Sequence, residues 1–227
     1  MERVEIGDTF LFLEMLADVD KTIDQLFELY LSQGKTELFE EMCPYFGTLW
    51  AAGKVLTQDL NSQLESGHFQ NRHKKSDRLL EIGCGLALPS LLLAKHGWEV
   101  AATDLHPDVP LFLEANRRHN GVLGPRFVQL DWRHSAPPAE HERWDLILAS
   151  DVLYDKTQPE TLSEFLSGHL SATGRAIVAD PGRTYVEGFF ELLRNRGFDV
   201  TVGGMFGVII AEIRRKGTAQ RENDPPT

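Results

Sequence analysis

The chain has 227 residues, and 23 basic side chains against 34 acidic ones give it a net charge of −11. This length suits one α/β domain with an extension and is too short for two domains of average size. The negative charge disfavours broad attraction to nucleic acid or to an anionic membrane, so we expect neither as a partner.

The cysteines and the N-terminus bear on the compartment. Cys43 and Cys84 show no spacing typical of a disulfide framework or of a metal site, so we expect no metal. No basic segment followed by an apolar run opens the chain, and no apolar stretch approaches the ~20 residues of a membrane span. We therefore expect a soluble, cytoplasmic protein, and we expect a monomer.

Residues 1–46 read as an acidic extension that packs on the main domain as a cap. Residues 10–13 predict a short strand, and residues 19–41 read mostly as helix. Within this helix, apolar side chains at three- and four-residue intervals predict one buried face: Ile23, Leu26, Phe27 and Tyr30. A second helix is predicted over residues 49–65.

From residue 78 onward, short apolar runs alternate with helical segments, which is typical of βαβ units in a parallel sheet. The candidate strands cover residues 78–82, 99–103, 126–130, 144–150, 175–180, 199–202 and 207–213. The candidate helices between them cover residues 89–95, 110–120, 158–169 and 186–195.

The short connection over residues 203–206 indicates that the last strand is antiparallel. The fold prediction is therefore α/β: a Rossmann-like, seven-stranded, mostly parallel sheet with an antiparallel last strand, helices on both faces and an N-terminal helical extension. Residues 47–215 form the main domain. Residues 216–227 are polar, end near two prolines and predict a disordered tail.

The first candidate strand of the main domain ends in a glycine turn, where residues 81–85 read Glu-Ile-Gly-Cys-Gly. Such a corner lets the backbone approach a nucleoside ligand closely. A dinucleotide site would place a third glycine three residues after Gly85, but Leu88 and Pro89 stand there. With the acidic Glu81, this favours a ligand that has no phosphate and a cationic amino-acid end, such as S-adenosylmethionine.

Acidic residues also end the next two candidate strands. Asp104 follows the second strand, where a carboxylate can accept hydrogen bonds from ribose hydroxyls; the less favoured alternative is that it caps the next helix. Asp131 and Trp132 follow the third strand, where they can meet an adenine ring, although Trp132 can equally be a packing residue.

The fourth strand of the main domain ends before Asp151 and Tyr154. Ligands bind outside the carboxyl ends of strands in open α/β sheets, so these side chains should face the methyl acceptor. Asp151 can orient a lysine amine and stabilise its developing charge, while Tyr154 lines the lysine channel. The alternative is that Asp151 caps the following helix and Tyr154 packs.

Five motifs in order resemble the seven-strand S-adenosylmethionine-dependent protein-lysine methyltransferases that carry an Asp-x-x-Tyr motif. Members of that family act on chaperones, calmodulin and the electron-transfer flavoprotein β subunit. The motifs are Leu-Trp-Ala-Ala-Gly at residues 49–53, the glycine turn, Asp104, Asp131-Trp132 and Asp-Val-Leu-Tyr at residues 151–154. Residues 179–183, Ala-Asp-Pro-Gly-Arg, resemble the bacterial branch with the flavoprotein-directed enzymes.

The resemblance implies S-adenosylmethionine as cofactor and a protein with an accessible lysine as partner. Asp151 and Tyr154 would be catalytic. The candidate cofactor-binding residues are Trp50, Glu81, Gly83, Cys84, Gly85, Asp104, Asp131, Trp132 and Ser150.

Three alternatives remain open at this stage. An NAD-dependent oxidoreductase would use the same corner, but it predicts a third glycine and a catalytic Tyr-x-x-x-Lys or His, which the sequence does not show. A non-catalytic methyltransferase-like binding protein predicts damage at the motif residues, which are intact. A small-molecule N-methyltransferase remains possible because an acidic mouth attracts any amine.

Overall fold

The computed structural model describes residues 1–36 and 39–217. The strands are β1 (Glu2–Ile6), β2 (Thr9–Leu13), β3 (Leu79–Ile82), β4 (Val100–Asp104), β5 (Arg126–Gln129), β6 (Trp144–Ser150), β7 (Leu170–Asp180), β8 (Phe198–Met205) and β9 (Val208–Arg215). The helices are α1 (Val19–Ser32), α2 (Phe39–Met42), α3 (Ala51–Glu65), α4 (His68–Arg72), α5 (Leu88–Lys95), α6 (Val109–Asn120), α7 (Gln158–His169) and α8 (Val186–Asn195).

Seven strands form one sheet in the order β5-β4-β3-β6-β7-β9-β8. All neighbours are parallel except β9, which is antiparallel to both β7 and β8. This confirms the predicted fold class, including the antiparallel last strand. Central strand β3 is buried along its whole length, as expected for an apolar run covered on both faces.

The chain reverses its direction of travel across the sheet at β3. It adds β4 and β5 on one side and then returns to add β6 and β7 on the other. This reversal leaves a crevice outside the carboxyl ends of β3 and β6, the usual ligand position in an open α/β sheet.

Two apolar layers cover the sheet. The layer with α3, α5 and α6 contains Leu56, Leu91 and Leu113. The layer with α7 and α8 contains Phe165 and Phe189. Helices therefore cover both faces, as the sequence predicted.

The first strands form a hairpin that packs on the α3, α5 and α6 layer. Asn120 of α6 clamps β2, since its Oδ1 accepts from the Phe12 N–H at 2.8 Å and its Nδ2 donates to the Phe12 carbonyl at 2.7 Å. Leu11 and Leu13 are fully buried. The hairpin is thus part of one core layer.

The predicted buried face of the first helix is wrong. No residue of α1 is buried; Ile23, Leu26 and Tyr30 are half-buried, and Phe27 is 42% exposed. The physical reason is that α1 contacts the short helix α2, where Phe27 lies edge-on to Phe39 at 5.2 Å between ring centroids, and this contact buries no α1 side chain fully. The helix ends at Ser32, and part of the longer predicted helix lies outside the described residues.

Helix α3 is tied to the sheet by a buried arginine of β7. The guanidinium of Arg175 donates to His73 Nε2 at 3.0 Å, to Glu212 Oε2 at 2.9 Å and to Gln63 Oε1 at 3.1 Å. Burial lowers the pKa of Arg175 to about 10, so the guanidinium remains charged at neutral pH. This network fixes the end of α3 away from the crevice.

Among the helices of the described residues, none combines the length and the apolar composition that crossing a bilayer demands. Most of the predicted C-terminal tail, residues 218–227, lies outside the described part of the chain.

Candidate cofactor and acceptor site

A cleft of about 740 Å³ lies at the carboxyl ends of β3, β4 and β6. This volume is in the range of small-molecule and cofactor sites. The cleft is lined by every residue that the sequence indicated as catalytic or cofactor-binding: Trp50, Glu81, Gly83, Cys84, Gly85, Asp104, Asp131, Trp132, Ser150, Asp151 and Tyr154. The fold thus brings together residues more than a hundred positions apart.

Glycine is required at two positions of the turn after β3, because of the backbone conformation there and because other atoms lie close by. Gly83 and Gly85 have φ of +56° and +49°, in the left-handed region that side chains disfavour. A Cβ on Gly83 would lie 2.9 Å from Val152 Cγ1, and one on Gly85 would lie 3.2 Å from the Phe46 carbonyl oxygen. The close approach here is therefore to other parts of the chain, which the sequence interpretation missed.

Glu81 is buried beneath this turn. Its Oε2 accepts from the Ser90 backbone N–H at 3.0 Å and from the Ser90 hydroxyl. Burial raises the pKa of Glu81 to about 8, so at neutral pH the carboxyl is mostly protonated. The carboxyl ties β3 to α5, and its suggested attraction for the cationic end of a ligand stays a prediction.

The start of α5 is poorly built for a phosphate. A phosphate at a helix N-terminus binds free backbone N–H groups. Pro89 has no N–H, and the N–H of Ser90 is taken by Glu81. These two positions therefore offer no N–H group to a pyrophosphate. The corner fits a nucleoside ligand that has no phosphate, and S-adenosylmethionine is such a ligand.

Asp104 holds the turn from the end of β4. Its Oδ2 accepts from the Gly85 N–H at 2.9 Å, and its Oδ1 accepts from the His106 N–H at 3.0 Å. It does not cap α6, whose N-cap residue is Asp108. Each carboxylate oxygen keeps a further lone pair, so hydrogen bonding to a ribose stays compatible with these contacts.

Asp131 is heavily engaged by its own neighbours. It pairs with Arg133 Nε at 2.8 Å and with His134 Nδ1 at 2.8 Å. Burial opposes ionisation, but these hydrogen bonds and the charge of Arg133 bring the pKa of Asp131 down to about 2. Trp132 packs edge-on against Phe165 at 6.5 Å and also lines the cleft, and its contact with an adenine ring stays a prediction.

Asp151 connects three parts of the site. Its backbone is left-handed at φ +60°. Its Oδ2 accepts from the Ala52 N–H at 3.1 Å, in the first turn of α3, and its Oδ1 pairs with Arg183 Nη1 at 2.7 Å. It does not cap the following helix, which starts at Gln158, but it satisfies an N-terminal donor of α3. Burial raises the pKa of Asp151, and Arg183 opposes that rise.

Aromatic side chains stand at the mouth of the cleft. Tyr154 is 62% exposed, so the packing alternative does not describe it. Trp50 is 42% exposed, and its Nε1 donates to the Tyr45 carbonyl at 2.9 Å. The backbone N–H of Tyr154 donates to Gln158 Oε1 at 2.6 Å.

Arg183 is the main cleft residue to which the sequence interpretation gave no role. Its Nη1 also pairs with Asp180 Oδ2 at 3.0 Å. The motif at residues 179–183 was visible in the sequence, but its contact with Asp151 depends on the parallel pairing of β6 with β7.

This sheet, with its glycine corner and an acidic residue at the end of β4, is the fold of S-adenosylmethionine-dependent methyltransferases. A solved structure of the glycopeptide N-methyltransferase MtfA, in complex with S-adenosyl-L-homocysteine, is similar with a TM-score of 0.55. The likeness covers 74% of this chain and 91% of that one at 14% identity, so it shows the shared fold. The cofactor is S-adenosylmethionine.

A family model described as "Lysine methyltransferase" matches residues 37–196, and the chain belongs to that family. A histidine protein methyltransferase 1 homolog of Dictyostelium discoideum is 31% identical over 52% of this chain and 40% of its own length. The histone-arginine methyltransferase METTL23 of Xenopus laevis is 32% identical over 50% of this chain and 47% of its own length. The matches thus span less than half of either relative.

Proposed function

We propose that this protein transfers a methyl group from S-adenosylmethionine to a side-chain nitrogen of another protein, and that the acceptor is a lysine. The observation that carries the proposal is that Asp151 and Tyr154 line the same cleft as the candidate cofactor-binding residues. The family description agrees with a lysine acceptor.

The chemistry needs little from acid or base groups. Bound S-adenosylmethionine supplies a methyl group on a sulfonium, whose sulfur keeps the electron pair of the broken C–S bond while the acceptor's lone pair forms the C–N bond. The residues of this chain align the acceptor nitrogen and exclude water. Asp151 is held rigidly by Ala52 and Arg183 and offers its remaining lone pairs to the acceptor.

The surroundings of the mouth favour a protein over a small amine. Exposed aromatic side chains, such as Tyr45, Trp50 and Tyr154, are frequent anchors in protein interfaces. The net charge of −11 suits a lysine-bearing segment. The free, buried thiols of Cys43 and Cys84 agree with action in a reducing compartment, and we place the protein in the cytoplasm.

Histidine is the second candidate acceptor. The relative named as a histidine protein methyltransferase supports it. The pairing of Asp151 with Arg183 also supports it, because a carboxylate whose charge is offset by a guanidinium accepts a neutral imidazole more readily.

The test is methyl transfer from labelled S-adenosylmethionine into a lysate of a source strain that lacks the protein. Acid hydrolysis then identifies the labelled residue. Asp151→Asn keeps an oxygen for the Ala52 N–H, so it preserves α3 and removes the charge that faces the acceptor. We expect labelled methyl-lysine with the wild type and a large loss with Asp151→Asn.

Label in histidine would move the assignment to the second candidate. Label confined to small molecules would overturn the protein acceptor. Full labelling by Asp151→Asn would remove Asp151 from the mechanism.

A further inference from the structure

One guanidinium nitrogen bridges two carboxylates at the acceptor side of the cleft. Nη1 of Arg183 lies 2.7 Å from Asp151 Oδ1 and 3.0 Å from Asp180 Oδ2. The Asp180 side chain is 2% exposed and that of Asp151 is 9% exposed, so solvent screens these pairs weakly.

Asp180 also holds the backbone that carries the arginine. Its Oδ1 accepts from the Gly182 N–H and from the Arg183 N–H, both at 2.8 Å. Gly182 supplies the left-handed turn, with φ of +87°. The same buried carboxylate therefore fixes both the backbone and the side chain of Arg183. This contact orients the guanidinium toward Asp151.

The consequence for Asp151 is that both its oxygens are engaged, one by Ala52 and one by Arg183. A nitrogen attacks a methyl group only with a free lone pair. A bare carboxylate beside an amine favours the protonated, unreactive ammonium, whereas a nearby guanidinium disfavours it. Arg183 therefore tunes the charge that an incoming acceptor meets.

We propose that Arg183 is a positioning residue: it orients the Asp151 carboxylate and offsets its negative charge. The site thereby selects an acceptor nitrogen in its uncharged form. This proposal rests on the proposed function. The acceptor gives one proton to solvent when it becomes uncharged, and its nitrogen becomes positive again when the C–N bond forms as the C–S bond breaks.

The ionisable groups around this point come from several elements. Asp151 itself faces Arg183 and Asp180. The other ionisable side chains that line the cleft are Cys43, Tyr45, Glu81, Cys84, Asp104, His106, Asp131, Arg133, Tyr154 and Asp155. Among the described residues, Arg183 is the cation that forms an ion pair with Asp151. It therefore has the most direct effect on the charge of that carboxylate.

The test is the pH dependence of the initial labelling rate in the same lysate, for the wild type, Arg183→Gln and Arg183→Lys. The wild-type rate rises with pH as the acceptor loses its proton. In Arg183→Gln the Asp151 charge is no longer offset, so we expect the rise to move up by about one pH unit. Arg183→Lys restores the charge and should move the midpoint back toward the wild type.

Two controls separate this effect from a structural one. Arg196→Gln makes the same charge change on an arginine that pairs with Glu160 and Glu164 outside the cleft, and it should leave the midpoint unchanged. Calorimetry with S-adenosylhomocysteine and thermal melting should show that Arg183→Gln folds and binds cofactor as the wild type does.

A rate that falls equally at every pH in Arg183→Gln, with the midpoint unmoved, would overturn the proposal, as would an Arg183→Lys midpoint no nearer the wild type. Either result leaves protein methylation intact. An absence of wild-type protein labelling would instead refute the proposed function, and the role of Arg183 with it.

Discussion

Glu81 and Ser90 face each other across the turn between β3 and α5, and the serine donates both its backbone N–H, at 3.0 Å, and its hydroxyl to one carboxyl oxygen. The contact is fully buried, with Glu81 at 1% exposure and Ser90 at 0%. An acid in this position keeps its proton at neutral pH, and its main effect is to join the glycine corner to the helix beside it.

This pair predicts a pH-dependent stability. Burial raises the pKa of folded Glu81 from 4.5 to about 8, so its favourable contribution is full below pH 4.5 and is lost as the pH rises through 8. Glu81→Gln keeps an acceptor for Ser90 and does not titrate. The variant should therefore gain stability relative to the wild type between pH 4.5 and pH 8, by at most about 1.4 kcal/mol per pH unit, and the difference should stay constant at higher pH.

Urea unfolding at several pH values measures this difference. Glu191→Gln, at an exposed position of α8, is the control and should track the wild type. If the free energy of unfolding of Glu81→Gln and of the wild type changed with pH in the same way, Glu81 would not be a buried, protonated acid.

A second prediction concerns the crowding between Gly83 and Val152. Gly83→Ala adds a methyl group 2.9 Å from Val152 Cγ1 and forces alanine into φ of +56°, so we expect a loss of about 2 kcal/mol or more. Val152→Ala removes the steric part and leaves the backbone strain. In a double-mutant cycle, the pair should therefore destabilise less than the sum of the single changes.

Chemical denaturation gives these free energies, and calorimetry with S-adenosylhomocysteine shows whether the corner still binds. Strict additivity would mean that the two side chains do not meet as described.

A third prediction concerns the buried Arg175. Arg175→Met leaves His73 and Gln63 without this donor and should cost about 3 kcal/mol at pH 7. Burial raises the pKa of Glu212, but the charges of Arg175, Arg214 and Arg72 bring this pKa down to about 2. The stability from Glu212 is present above its unfolded pKa of 4.5 and is lost as the pH falls toward 2, so the gap between variant and wild type should narrow in acid.

Unfolding midpoints at pH 7 and pH 3 test this. Arg126→Met, at an exposed position of β5, is the matched control and should change stability little. An equal effect of the two substitutions would show that the Arg175 network does not hold α3.

Hydrophobic periodicity predicted the sheet well because its strands are buried and its helices amphipathic. Strand β1 escaped detection since only Val4 and Ile6 point inward and the other residues are polar. The buried face assigned to α1 was wrong because periodicity predicts an apolar face and cannot say what covers it.

The candidate site was predictable where ligand chemistry dictates residue type at a strand end. Arg183 and Phe46 were not, because their contacts with Asp151 and Gly85 join segments far apart in the sequence. The protonation of Glu81 was also hidden, since burial sets it and a sequence does not display burial at one position.

The last prediction separates the acceptor role of Tyr154 from a structural one. Tyr154 is 62% exposed and its hydroxyl is hydrogen-bonded to the Gln158 side chain, so Tyr154→Phe should change the free energy of unfolding by no more than about 1 kcal/mol and leave cofactor affinity unaltered. If the hydroxyl aligns the acceptor through one hydrogen bond, worth about 1.4 kcal/mol, protein labelling should fall about tenfold. Tyr185→Phe, at a half-buried tyrosine that precedes α8, is the matched control. Wild-type labelling by both Tyr154→Phe and Tyr154→Ala would place the acceptor elsewhere in the cleft, and the aromatic mouth would then serve protein docking alone.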